Sequence, residues 1–427
     1  MVKTRYLLVA SVAAALSMQA ADWSSYHGPS QDGRSTESIA TQWPQTGPKV
    51  LWKVPSNAGF SSFAVAGGRC ATQELRDFDG VVQEAVVVRD ASTGKELWAQ
   101  ALGTMKVGDG GDDGTKENRG GDGPRSTPAI AAGRVYTISA KLVVQAFDAK
   151  TGAIVWKRDL IKDNAGRNIS WQNAQSPVIE DGRLFVGGGG PGESLLALDI
   201  STGAPLWKTA DERITHATVL PTTIDGVRQV IWFLQSGLVS TDPKTGTELW
   251  RFAFPYKVST AASPVVSGNV VYCSAGYGVG AAAARVTRTG GTWSATEIYR
   301  FAGNKPLANH WSTPVLKEGH LYGMFQFKEY GSGPVKCVDI TTGTVKWEKT
   351  GFGPGHVILT ASGVLALSDD GQLVLIDAVP GGYAERARAE VLDGKCWTRP
   401  VLSNGRVYAR STTEAICLEV GVQRASR

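Results

Sequence analysis

The chain has 427 residues, a formal net charge of +5, 42% hydrophobic and 19% charged residues, 51 glycines and 13 tryptophans. That charge is mild for the size, and no Lys/Arg run or basic helix is present, which argues against nucleic-acid binding and electrostatic membrane docking. Many glycines with large aromatics and few charges call for tight turns around buried rings.

Residues 1–20 read as a secretory signal: Lys3 and Arg5 precede an apolar run from Tyr6 to Leu16, and small residues at Ala20 and Ala21 permit cleavage. The run is too short for a comfortable membrane span. The mature chain is therefore expected in the periplasm or outside the cell, with no integral span, and without Lys3 and Arg5 its charge becomes +3. No Cys follows the run to carry a lipid. Residues 21–48 form an N-terminal extension, and the first strand is expected at Lys49 to Val54.

Beyond it one eleven-residue pattern recurs five times: an Asp, a Thr-Gly turn, then a Trp. The copies are Val88 to Trp98, Ala146 to Trp156, Ala197 to Trp207, Ser240 to Trp250 and Cys337 to Trp347. Residues up to the Asp alternate as a strand, Asp-x-x-Thr-Gly supplies a turn with glycine at positive φ, and a second strand carries the Trp. One hairpin cannot bury an indole, so successive copies must stack.

A second element, a Ser/Thr-Pro strand ending at a glycine turn, precedes each hairpin. It is clear at Ser126-Thr127-Pro128, Ser176-Pro177, Ser263-Pro264, Ser312-Thr313-Pro314 and Arg399-Pro400, and degenerate near Ser61-Ser62, at His216-Ala217-Thr218 and at His356-Val357. That makes eight units. Trp52, Trp98, Trp156, Trp207, Trp250, Tyr299, Trp347 and Val391 mark eight final strands, 43 to 58 residues apart. Four short strands per unit at such a period predict an all-β, eight-bladed β-propeller of four-stranded antiparallel blades over residues 49–420, with 421–427 a short tail. The last unit offers only one strand, Ala415 to Val420, after Arg410. The N-terminal strand at Trp52 is expected to complete that blade and close the ring.

The AxDxxTGxxxW pattern, literal at Ala146 to Trp156 and Ala197 to Trp207, resembles the tryptophan-docking motif of the PQQ-like propeller repeat family. That family includes quinoprotein alcohol dehydrogenases, the BamB-like propeller of the outer-membrane β-barrel assembly machine, and secreted bacterial members. The segments Tyr26 to Gly33, Gly121 to Pro128, His310 to Pro314 and Leu392 to Trp397 are similar to the last group. The resemblance covers about Lys49 to Val420 and implies fold more strongly than chemistry. It implies two functions of different class. The first is a secreted or periplasmic scaffold that binds a protein or small ligand, with strand addition at a blade edge as one mode. Edge protection looks weakest in blade three and around Gly276 to Gly291. The alternative is a PQQ-dependent alcohol or sugar dehydrogenase with PQQ and Ca²⁺. The vicinal Cys-Cys pair of those enzymes is missing, for the five cysteines (Cys70, Cys273, Cys337, Cys396, Cys417) are all separate. No Glu, Asn and Asp set for Ca²⁺ is evident, and catalytic motifs of other classes are absent. A scaffold without catalysis is the favoured expectation.

The expected ligand site is the mouth of the central channel. His216, His310 and His356 lead into innermost strands, where other blades carry Arg125, Gln175 and Trp397, with Trp171, Trp311 and Arg399 adjacent. Imidazoles, guanidinium and indoles there can bind an anionic or planar ligand, and His216, His310 and His356 are candidate ligands for a metal. The competing reading is that these side chains only plug the channel. Two loops are weaker candidates. Gly108 to Asp122 is rich in carboxylates but fails the EF-hand spacing, and Gly187 to Gly192 lacks the Lys-Ser/Thr of a phosphate loop and reads as a hairpin turn.

Overall fold

A computed structural model describes residues 22–107, 123–257, 260–303, 306–325 and 333–422. The carboxylate-rich loop Gly108 to Asp122 and the signal lie outside these residues. Eight four-stranded antiparallel sheets are present, seven of them built from four consecutive strands. The eighth is Val401–Ser403, Arg406–Arg410 and Glu414–Glu419, completed by Lys49–Pro55, which pairs antiparallel with Glu414–Glu419. This is the eight-bladed propeller, closed as the repeat predicts, so the first and last blades leave no open edge between them. The single helix among the described residues, the short Leu160–Asp163, is capped by Asp159, whose carboxylate accepts from the Ile161 and Lys162 amides. No helix among the described residues is long and apolar enough to cross a membrane.

The repeat motif works at the seams between blades. In each copy the Asp side chain accepts the amides two and three residues on, as Asp148 does from Lys150 (3.0 Å) and Thr151 (2.8 Å). The glycine then sits at φ +70° to +74°, which only glycine adopts freely. The hairpin shifts register by one residue just before the Asp, the bulge that such a turn produces. The indole of the preceding blade lies over this turn and donates to its carbonyl: Trp52 to Ala91, Trp98 to Ala149, Trp156 to Ile200 and Trp207 to Pro243, all at 2.9–3.1 Å. A Cβ on Gly203 would stand 2.6 Å from the Trp156 ring, and one on Gly246 2.6 Å from Trp207. The glycine is thus both the turn and the floor for its neighbour's tryptophan.

Blade five departs from the pattern. Its outer hairpin, Gly280–Thr289 and Thr292–Ala302, turns through Gly290-Gly291 and has no Asp-x-x-Thr-Gly. Trp250 of blade four, lacking that turn to sit on, donates instead to the buried Gln229 of its own sheet (2.6 Å). Arg300 closes the seam, its guanidinium 5.4 and 5.0 Å above the Phe252 and Phe254 rings.

Residues 22–40 do not trail from the ring but enter it. Trp23, fully buried, bridges to Val65 of blade one. Ser24 accepts from Ile130 of blade two, Gly33 and Ser35 exchange hydrogen bonds with Leu359 of blade seven, and Ala40 donates to Val420. The extension therefore fills one end of the central channel by adding backbone partners to innermost strands.

Candidate functional site

The Ser/Thr-Pro pattern builds the other end of the channel. A hydroxyl from one blade accepts the backbone N–H at the strand entry of its neighbour: Thr127 from Ser62, Ser176 from Thr127, Thr218 from Ser176 and Thr313 from Ser263, at 2.9–3.1 Å. These small side chains satisfy amides that converge on the axis. They leave the residues just before them to define the rim.

At that rim the structure links seven residues into a closed circuit, through six side-chain contacts and one to a main-chain carbonyl. The Arg125 guanidinium lies 5.0 Å over Phe60, and Phe60 stacks on Trp397 (5.5 Å). Trp397 meets Trp311 edge-on (6.0 Å), Trp311 meets His310 (5.2 Å), and His310 meets Tyr277 (4.9 Å). Tyr277 stacks on Trp171 (6.1 Å, 13° between planes), and the Trp171 carbonyl accepts from Arg125 Nη1 (3.0 Å). Of the nine predicted residues, Arg125, Trp171, His310, Trp311 and Trp397 belong to this annulus. Phe60 and Tyr277 complete it, and sequence reasoning missed both. The signal was available for Phe60, which directly precedes the degenerate Ser61-Ser62, but Tyr277 lies in the irregular inner hairpin of blade five, where the repeat gives no register.

The other four sit beneath the rim. Gln175 is buried, its amide spent on the Thr215 carbonyl and the Gly187 amide. His216 is buried and bonded to the Gln172 carbonyl (2.8 Å). His356 is buried beside Arg399. Arg399, 1% exposed, contacts the N-terminal extension: Nη1 donates to His27 Nδ1 (2.7 Å), Nη2 to the Thr313 carbonyl (3.1 Å), and the guanidinium lies 5.1 Å over Tyr26. Because a guanidinium can only donate, His27 Nδ1 must accept, which fixes its proton on Nε2, facing the Ser263 hydroxyl at 2.9 Å. Arg399 is thus a link between blade eight and the plug rather than an open rim residue.

Burial, joined by nearby cations, keeps these rings neutral. Desolvation and then Arg125 push His216 down to about 4. Desolvation and His216 push His310 down to about 3, and desolvation and Arg399 push His356 down to about 3. His27 is held well below the usual histidine value by burial, Arg399 and His356. No group of three or more His, Cys, Asp or Glu side chains is arranged to hold a metal among the described residues. His216, His310 and His356 are accordingly not gathered around one ion: each ring is directed to a different neighbour.

The same donor set bears on the quinone and Ca²⁺ that the resemblance implies. The annulus offers flat rings to a planar group, but its charged member is Arg125, and Ca²⁺ requires several oxygen ligands. All five cysteines are buried, free and far apart in sequence, so no vicinal disulfide roofs the rim. The residues present do not fit the quinone and cation together.

The glycine run of blade three has a definite role. It is the turn between Arg183–Gly187 and Leu195–Asp199, and it lets a second loop lie directly on it. Arg167 N donates to Gly188 O and Gly190 N to Asn164 O, and a Cβ on Gly190 would stand 2.5 Å from the Ala165 carbonyl. That second loop carries Trp171.

A family model described as outer membrane protein assembly factor BamB matches residues 37–168 and 82–322. The outer membrane protein assembly factor BamB of Shewanella oneidensis is 27% identical over 262 residues, 58% of this chain and 62% of that protein. The match thus spans a little under two thirds of that relative. The quinohemoprotein alcohol dehydrogenase ADH-IIG of Pseudomonas putida is 29% identical over 144 residues, 30% of this chain but 19% of the enzyme. The crystal structure of BamB from Moraxella catarrhalis superposes with a TM-score of 0.59 at 16% identity, over 88% of this chain and 99% of that one. That structural likeness shows the shared propeller fold.

Proposed function

The chain belongs to the BamB family of PQQ-like β-propellers, and from that membership we propose that it is an exported, periplasmic or secreted binding scaffold for extended polypeptide, used in protein assembly. The observation that carries this reading is the asymmetry of the channel. One end is filled by residues 22–40, while the other presents an annulus of aromatic rings with one guanidinium. Large rings around a concave mouth suit the alternating aromatic side chains of an unfolded outer-membrane β-strand. The neutral buried imidazoles below them add polarity without charge.

Calorimetric titration of the mature protein with a ten-residue peptide of alternating aromatic residues tests this, with PQQ plus Ca²⁺ as a parallel arm. Saturable peptide binding that weakens at least about tenfold in Trp311→Ala supports the scaffold. Absence of peptide binding, or dye reduction on addition of PQQ and Ca²⁺, overturns it in favour of the oxidoreductase. Export is checked separately by the mass of the mature N-terminus, expected near Ala21.

A further inference from the structure

We infer that a second site, which shares Trp171 with the annulus, binds an anionic saccharide. A cavity of about 310 Å³ opens between blades three, four and five, at the lower end of the size range of small-ligand pockets. Three cations line it, Arg167, Arg213 and Lys257, together with Ser170, Gln235 and Trp171, and among the described residues no carboxylate does. Arg167 is already paired with Asp211 outside the lining. Arg213 and Lys257, both exposed, have no carboxylate partner among the described residues.

The wall of this cavity is a loop held under strain. Trp171 and Gln172 both adopt left-handed backbone, at φ 63° and 65°, which side chains of that size avoid. The loop is kept there from several sides: the Gln172 carbonyl faces His216 Nε2 at 2.8 Å, Gln172 Oε1 accepts the Lys106 amide, and Asn168 and Asn173 donate to the Ala140 carbonyl. What this fixed backbone presents is the Trp171 indole, 44% exposed, in a near-parallel pair with Tyr277, 40% exposed. A flat pair of exposed rings matches the C–H face of a pyranose, the Ser170 hydroxyl and Gln235 amide match its hydroxyls, and the two unneutralised cations match a carboxylate substituent. A neutral sugar would leave those cations unused. A flexible acidic peptide would lack the rigid face that the ring pair fits.

The probe is trigalacturonate, titrated calorimetrically into the mature protein beside neutral maltotriose and a tri-glutamate peptide. Saturable binding of trigalacturonate is expected, at least about tenfold tighter than maltotriose, and weakened by a similar factor in Arg213→Glu/Lys257→Glu and in Trp171→Ala. All three residues are exposed, so an unchanged melting temperature keeps those variants interpretable. No binding of trigalacturonate, binding that the charge-reversal variant retains, or a preference for tri-glutamate each overturns the assignment. Because Arg213 and Lys257 lie outside the annulus, binding of the aromatic peptide in the charge-reversal variant is expected to be unchanged, which separates this site from the scaffold reading.

Discussion

The outer seams of the propeller and the inner ends of its blades follow different rules. At the seams one solution is repeated, an indole from one blade on the glycine turn of the next, as at Trp52 on Gly94, Trp98 on Gly152, Trp156 on Gly203 and Trp207 on Gly246. At the channel no single residue is repeated around the ring, and even the three histidines differ in their contacts: Arg125, Gln175, His216, His310, His356 and Arg399 each have their own partners. Packing between like units needs only a repeated shape. A site on the axis has eight contributors and no requirement that they match. What breaks the period on this chain is the set of side chains around the channel, which is where the proposed site lies.

The largest effect expected to separate the two regions is acid sensitivity. His216, His310, His356 and His27 all have folded values below the unfolded 6.5. The unfolded chain therefore binds more protons in the window from 6.5 down to about 4 for His216 and about 3 for His310 and His356, so their stabilisation is complete above 6.5 and is lost as pH falls. Glu84 opposes this: burial raises it to about 7, so its contribution is full below 4.5 and lost as pH rises. His216, His310 and His356 against Glu84 leave a net of roughly two protons, about 3 kcal/mol per pH unit between 6 and 5, and His27 acts in the same direction as the other rings. Denaturant melts at pH 7, 6 and 5 measure the slope. His310→Phe with His356→Phe should remove most of it, and an unchanged slope would mean that the channel rings do not govern acid stability.

The seams should respond to size and not to pH. Trp156→Ala removes a buried indole and its bond to Ile200, at an expected cost of about 3–5 kcal/mol. Gly203→Ala keeps the indole but places a methyl 2.6 Å from it at φ +73°, for about 2–3 kcal/mol. Together the two changes should cost clearly less than their sum, because the clash vanishes with the ring. Full additivity in a double-mutant cycle would show that the glycine serves the turn alone.

How much of this was legible follows the same division. Blade number, strand count and closure came from residues that recur: Asp148, Gly152 and Trp156 need the same neighbours in every copy. The inner rim was legible in part, since position before a Ser/Thr-Pro strand placed Arg125, His310, Trp311 and Trp397 together. It misjudged Gln175, His216, His356 and Arg399, whose burial depends on which neighbours cover them. Arg399 lies under the extension because His27 reaches Ser263 across the channel, a contact over 236 residues that no local pattern encodes. Tyr277 was invisible for a related reason: blade five has an inner hairpin of its own length, and without register a residue cannot be assigned to the rim.

Blade five also supplies the smallest and most local test. At the other tryptophan seams the indole N–H is satisfied by a backbone carbonyl, which no substitution removes. Trp250 alone relies on a side chain, Gln229, whose Oε1 also accepts from Ser240 (2.7 Å). Gln229→Leu keeps the volume and strands both donors in a buried place, so a loss of about 1–3 kcal/mol is expected. Its effect should be confined to the junction of blades four and five, read as faster amide exchange in Glu248–Ala253 and Thr292–Ala302 with blades one to three unchanged. Arg300→Ala, which removes the guanidinium over Phe252 and Phe254, should open the same junction by about 1 kcal/mol. If exchange rises evenly around the ring instead, the seams act as one cooperative unit, and the irregular blade is no weaker than the regular ones.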